Sequence, residues 1–172
     1  MVEKASLKEK ETERPEPNYY ELVLQDFKER NTRAAQGVKL VKGKDNPWTF
    51  TRQGYIKRYA NIKRVENALS TLVLFVHEIR SHSGRHKHQG GFNLFVLKGK
   101  GYTVVDGVRN DWQAGDLILL AFKPGGVEHQ HFNGDDRPSR WLALTCLPFA
   151  DLVGAFLEQK ENHPDWKGSS QA

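Results

Sequence analysis

Apolar and polar positions alternate along the middle of the chain in short runs, and the period changes once near each end. From Asn18, "NYYELVLQDFKERNTRAAQG" places Tyr20, Val23, Leu24 and Phe27 at helical spacing, with Asn18 as cap and Gly37 as stop. It predicts one amphipathic helix. After Gly54 the runs shorten: "GYIKRYA", "STLVLFVHEI", "GFNLFVLK", "GYTVVDGV", "DLILLAF" and "RWLALTCL" are rich in β-branched and aromatic residues. Gly, Pro, Asp and Asn separate them at close intervals, the pattern of an all-β sandwich or barrel. "VVDGV" sets Asp-Gly between β-branched residues and predicts a type I′ hairpin. "LKGKGY" reads as a second tight reversal. After Pro148, "FADLVGAFLEQKE" returns to helical spacing through Phe149, Leu152, Val153, Phe156 and Leu157. The predicted division is a disordered tail over 1–16, a helix and extended arm over 17–53, a barrel over 54–150, and a C-terminal helix and tail over 151–172. No internal repeat is visible.

Composition narrows this picture. The 172 residues are 38% hydrophobic and 27% charged, as in ordinary soluble domains. Apolar runs such as "LVLFV" are far too short for a membrane span. The charged N-terminus has no apolar segment to act as a signal peptide, so a cytoplasmic location is expected. The single Cys146 lies in apolar "WLALTCLPF" and reads as a buried, unreactive thiol. The net charge of +5 gathers partly in "VKLVKGKDNPWTFTRQGYIKRYANIKR". No nucleic-acid-binding module accompanies it, so these cations are assigned to the solvent face of strands. The expected partners are small molecules, without nucleic acid or membrane.

The chemistry lies in the histidines. Two of the seven form "GRHKHQGG" and two more form "GGVEHQHFN". Alternate residues of a strand share a face, so His86 projects with His88, and His129 with His131. Two such strands facing one another bring three or four imidazoles to one point, a metal site. Imidazole suits Fe, Cu, Ni, Zn and Mn, so the ion is not chosen by the residues. His77 reads as a hydrogen-bonded core or rim histidine, and His163, beside Pro164, as an exposed one.

"GRHKHQGGFNLFVLKGKG" followed by "GDLILLAFKPGGVEHQHFN" resembles the two sequence motifs of the cupin superfamily, over about residues 83–148. Pro124, Gly126, His129 and Asn133 match the second motif position for position. The resemblance implies a mainly β double-stranded β-helix of jelly-roll type, here with an N-terminal and a C-terminal helix. It differs in the fourth ligand: where many metal cupins carry Glu, this chain has "QGGFNLF". Gln89 and Asn93 are the only amides there, and a three-histidine site is simpler.

Three-histidine cupins without that Glu include the gentisate 1,2-dioxygenase group, whose order of turns "LKGKGYTVVDGVRNDWQAGDLIL" and "VEHQHFNGDDRPSRWLAL" resemble. The resemblance implies His86, His88 and His129 as ligands, with Fe(II) as the metal and Mn, Ni, Cu or Zn as alternatives. His131 is then an acid–base or substrate-orienting residue, and Phe92, Leu94, Trp141 and Asn133 contact substrate. The group's carboxylate-reading Arg falls on Leu94, and its Asp after Trp-Leu falls on Ala143. Gentisate itself is therefore not expected as the preferred substrate.

The resemblance implies an O2-dependent, ring-cleaving dioxygenase acting on a hydroxylated aromatic or related small molecule, in a homodimer or larger homo-oligomer. The same fold and ligands also serve a non-redox isomerase, decarboxylase or lyase, one subunit of a two-component dioxygenase, or a non-enzymatic binding cupin.

Overall fold

A computed structural model describes residues 18–61, 66–69, 71–146, 148, 152–154 and 156–168. The expected tail over 1–16 lies outside these residues. The helix α1 spans Tyr19–Gln36, where Asn18 Oδ1 accepts from the Tyr20 N–H at 3.0 Å. None of its residues is buried, and Tyr20, Leu24 and Phe27 stay exposed. The apolar stripe legible in the sequence therefore adds no buried residue to the core.

Eleven strands follow: β1 (Thr49–Thr51), β2 (Gly54–Ala60), β3 (Leu72–Ile79), β4 (Arg85–His88), β5 (Phe92–Lys98), β6 (Lys100–Val105), β7 (Val108–Gln113), β8 (Leu117–Leu120), β9 (Val127–Asn133), β10 (Ser139–Cys146) and β11 (Leu157–Glu161). They form two antiparallel sheets in the orders β1-β2-β3-β10-β5-β8 and β11-β4-β9-β6-β7. The sheets close on the core by strict alternation: Leu94 and Val96 of β5, Ile118 and Leu120 of β8, and Trp141 and Ala143 of β10 are buried, joined by Ile79, Trp112 and Val127. Two apolar faces packed in this way are the jelly-roll architecture expected from the sequence.

The hairpin at "VVDGV" joins β6 to β7, with Asp106 at φ 48° and Gly107 at φ 83°, the positive pair that a type I′ turn requires. "LKGKGY" is different. Its strands belong to opposite sheets, so Gly99 carries the chain round a corner of the barrel and does not reverse it within one sheet. The helix expected to run to Glu161 is also corrected. Most of its first half lies outside the described residues, and Leu157–Glu161 is strand β11, paired with β4. Its helical spacing loses to the open edge of β4, where one flank of the segment finds ladder partners at Leu157, Glu158, Gln159 and Glu161. Cys146 ends β10 only partly buried, rather than fully buried as its apolar neighbours suggest. Among the described residues, no helix is long and apolar enough to cross a membrane.

Candidate metal centre

β4 and β9 run side by side with His86 directly opposite His129. Alternation turns His86 and His88 inward and Arg85 outward, where its guanidinium joins Glu128 at 2.8 Å and Glu161 at 2.7 Å. The inward rings lie close: 4.2 Å between the centroids of His86 and His129, 4.8 Å for His88 and His129, and 5.2 Å for His86 and His88. One ligand atom from each falls within 4.8 Å of the others, a spacing that one metal ion can span.

The rings are held neutral. Burial, and then the neighbouring His88, push His86 down to about 4. Burial, and then His86, His131 and His88, hold His129 well below the ordinary histidine range. His88 is lowered by burial against the pull of the Gln89 carbonyl. Neutral imidazole is the form that binds metal, so the fold prepares the donors before any ion arrives. The orientation of His88 fits as well. Its Nδ1 donates to the Gln89 carbonyl at 2.5 Å, leaving Nε2 as a free lone pair. Backbone contacts with Gly84 and Val127 favour the charged forms of His86 and His129, but burial outweighs them. Three neutral nitrogen donors with no carboxylate among them fit a divalent transition metal.

The amides considered as replacements for Glu are engaged elsewhere. Gln89 Oε1 accepts from the backbone N–H groups of Gly90 and Lys123, pinning a loop. Asn93 points outward from β5.

Beside the histidines lies a cavity of about 300 Å³, walled mainly by Ile56, Val73, Phe75, Phe92, Leu94 and Trp141. His131 lines it as well, 5.2 Å from His129 and 4.7 Å from Trp141 between ring centroids. It stands outside the three-histidine group. Asn133 does not reach the cavity. Its amide donates to the carbonyls of Arg80, Asp135 and Arg137, and its oxygen accepts from Ser139, so it ties down the loop after β9. That loop must be folded back to start β10, which is why an Asn with local hydrogen-bonding capacity stands there.

His77 lines the cavity from β3, in alternation with Val73 and Phe75, and burial lowers it to about 3. Its shared face with those two residues is the signal that assigns it to the wall. His163 is buried, not exposed: it packs edge-on against Phe50 and donates its backbone N–H to the Arg52 carbonyl. Sequence reasoning also missed Thr103 and Trp112. Trp112 Nε1 donates to Thr103 Oγ1 at 2.9 Å, and Thr103 Oγ1 lies 2.8 Å from His131 Nδ1. Neither position carries a motif. Only the register Thr103↔His131 reveals the contact.

The profile of the cupin domain family matches residues 74–145. Gentisate 1,2-dioxygenase 1 of Aquipseudomonas alcaligenes is 35% identical over 68 residues, 39% of this chain and 19% of that protein. The 5-aminosalicylate 1,2-dioxygenase of a Comamonas species is 28% identical over 108 residues, 62% of this chain and 28% of that protein. The chain thus spans less than a third of either relative's length. Among solved structures, the polyketide cyclase RemF of Streptomyces resistomycificus superposes with a TM-score of 0.53 at 18% identity, covering 74% of this chain and 89% of that one, a likeness of fold alone. The paired motifs, the two closed sheets and the family match make residues 74–145 a cupin domain, in a chain that resembles the gentisate dioxygenase group.

Proposed function

We propose that the chain is a mononuclear Fe(II)- and O2-dependent dioxygenase acting on a neutral hydroxylated aromatic ring or a related small molecule. The observation that carries this reading is the set of three neutral imidazoles beside an apolar cavity of ring-sized volume. His86, His88 and His129 would hold the ion. When bound, Fe(II) supplies adjacent open coordination positions and one-electron redox chemistry, the requirements of oxygenation.

The rest is done by the chain. Phe75, Phe92 and Trp141 offer faces and edges to an aromatic ring, their centroids 6.3 Å and 6.0 Å from Phe75. The apolar wall excludes water and strengthens each polar contact made inside it.

Charge selects the ligand. Leu94 and Ala143, at the positions where the resembling group carries Arg and Asp, are register partners on β5 and β10 and both are buried. Both positions are thus apolar in this chain. The two other arginines near this region lie outside the barrel. Arg140 and Arg80 both pair with Glu78, and Arg80 stacks on Tyr55 at 3.8 Å. Among the described residues, no cationic side chain lines the cavity to receive a ring carboxylate.

The test is anaerobic loading with Fe(II), addition of a panel of catechols and hydroquinones, then oxygen-uptake measurement, with His86→Ala as the control that should lose the metal. Substrate-dependent uptake with ring-cleaved product is expected. Turnover without oxygen consumption would replace this reading with a non-redox reaction at the same residues. Tight binding with no turnover would leave a small-molecule-binding cupin.

A further inference from the structure

We propose that the polar end of the cavity is a hydrogen-bond-donor subsite for an oxygen atom of the ligand, built on His131 fixed as its Nε2–H tautomer by Thr103 and Trp112. The ligand half rests on the reading that the cavity takes an oxygenated ring. The tautomer does not.

An indole N–H only donates, so Thr103 Oγ1 must be the acceptor of its 2.9 Å bond with Trp112 Nε1. Thr103 is fully buried, and its hydroxyl proton needs an acceptor of its own. Among the described residues, His131 Nδ1, at 2.8 Å, is the one other side-chain atom bonded to that hydroxyl. Were Nδ1 protonated, Thr103 would accept twice and its own proton would be stranded on a fully buried hydroxyl. A stranded buried donor carries the full cost of its lost hydration. Thr103 therefore donates to Nδ1, and the proton of the neutral ring sits on Nε2.

Among the described residues that Nε2 has no partner, although His131 is 1% exposed and lines the cavity. The second donor is beside it. Trp141 lines the same cavity, its ring centroid is 4.7 Å from that of His131, and its Nε1 is also buried without a partner. Two N–H groups without fixed charge suit a phenolic or keto oxygen, which needs donors but no counter-ion. The arrangement also separates two roles. A ring already protonated at Nε2 gives a hydrogen bond to the ligand and cannot take the ligand's proton at that atom. Thr103 and Trp112 are positioning residues, acting through His131.

The experiment uses the full chain labelled with 15N-histidine, with Zn(II) added as a diamagnetic probe. Long-range 15N–1H correlation distinguishes the two tautomers, and His131→Gln identifies the His131 signals by their loss. Wild type should show Nε2–H and an unprotonated Nδ1. Thr103→Val should lose that uniform pattern, and Thr103→Ser should restore it. A wild-type Nδ1–H pattern, or an unchanged pattern in a folded Thr103→Val protein, overturns the assignment. Wild type alone decides the tautomer if the valine variant fails to fold. Catechol should then shift the His131 Nε2–H signal, and benzene should not. Catechol moving other cavity signals but leaving this one unmoved overturns the subsite. If catechol moves none of them, the subsite falls together with the proposed function, while the tautomer stands.

Discussion

Gly54→Ala tests whether the cavity wall is packed as tightly as the structure shows. Gly54 opens β2 at φ +118°, a conformation that L side chains rarely adopt. A Cβ there would lie 3.0 Å from His77 Nε2 and 3.1 Å from His163 Cδ2. Neither ring can swing out into solvent, since His77 is 3% and His163 4% exposed. Backbone strain of this kind costs roughly 1–3 kcal/mol. Overpacking adds roughly 1–3 kcal/mol more. With a central sum of about 4 kcal/mol, and about 2–4 °C per kcal/mol for a chain of this size, melting should fall by roughly 8–16 °C. Thermal melting followed by circular dichroism measures it. A double-mutant cycle with His77→Ala then isolates the crowding. Removing the ring should recover about 1 kcal/mol of the loss, because contacting residues couple by roughly 0.5–3 kcal/mol. A Gly54→Ala melt within about 2 °C of wild type would refute the reasoning, and strictly additive losses would refute the crowding part.

Other consequences can be measured directly. His131→Ala should keep its metal by elemental analysis yet lose turnover, whereas His129→Ala should lose both; equal metal loss would make His131 a ligand. Specificity constants should favour hydroquinones and catechols over gentisate, by on the order of tenfold or more given the several kcal/mol cost of an unpartnered buried carboxylate. A clear preference for gentisate would contradict the cavity described above. Burial alone would raise the Glu78 carboxyl, but Arg140 and Arg80 outweigh it and hold it below its ordinary value of 4.5. Its contribution to stability is therefore full above 4.5 and is lost as pH falls through the lower folded-state value. Glu78→Gln should be the less stable protein at neutral pH, with the gap closing below 4.5 in acid titrations of unfolding; a gap independent of pH would reject this.

The inward pairing of His86 with His88 was legible because a strand has period two and the glycines on either side mark its limits. The same rule turned Arg85 outward, and the structure places it there in ion pairs. Residues whose role depends on a partner distant in sequence were not legible. Thr103 and Trp112 reach His131 only through the register of β6 with β7 and β9. His163 is drawn inward by Phe50, more than a hundred positions earlier in the chain. Asn133 matched a motif, but the motif fixed its position and not the direction of its side chain. In residues 149–161 local spacing favoured a helix, while the vacant side of β4 offered ladder partners to Leu157, Glu158, Gln159 and Glu161.

That ladder has a consequence for how a metal would be retained. With β11 in place, β4 is an interior strand, bonded to β9 on one flank and β11 on the other. Arg85 fastens all three, reaching Glu128 on β9 and Glu161 on β11. Without β11, the strand carrying His86 and His88 would be a frayed sheet margin, opening on its own rather than with the whole barrel. Residues 157–161 would therefore act as a latch on an ion held by His86 and His88. They touch no ion themselves, yet their detachment would set the rate at which two of the three donors let go. Amide exchange at His86 and His88 should quicken sharply when the chain is cut after Phe156, and zinc transfer to a chelator should quicken with it.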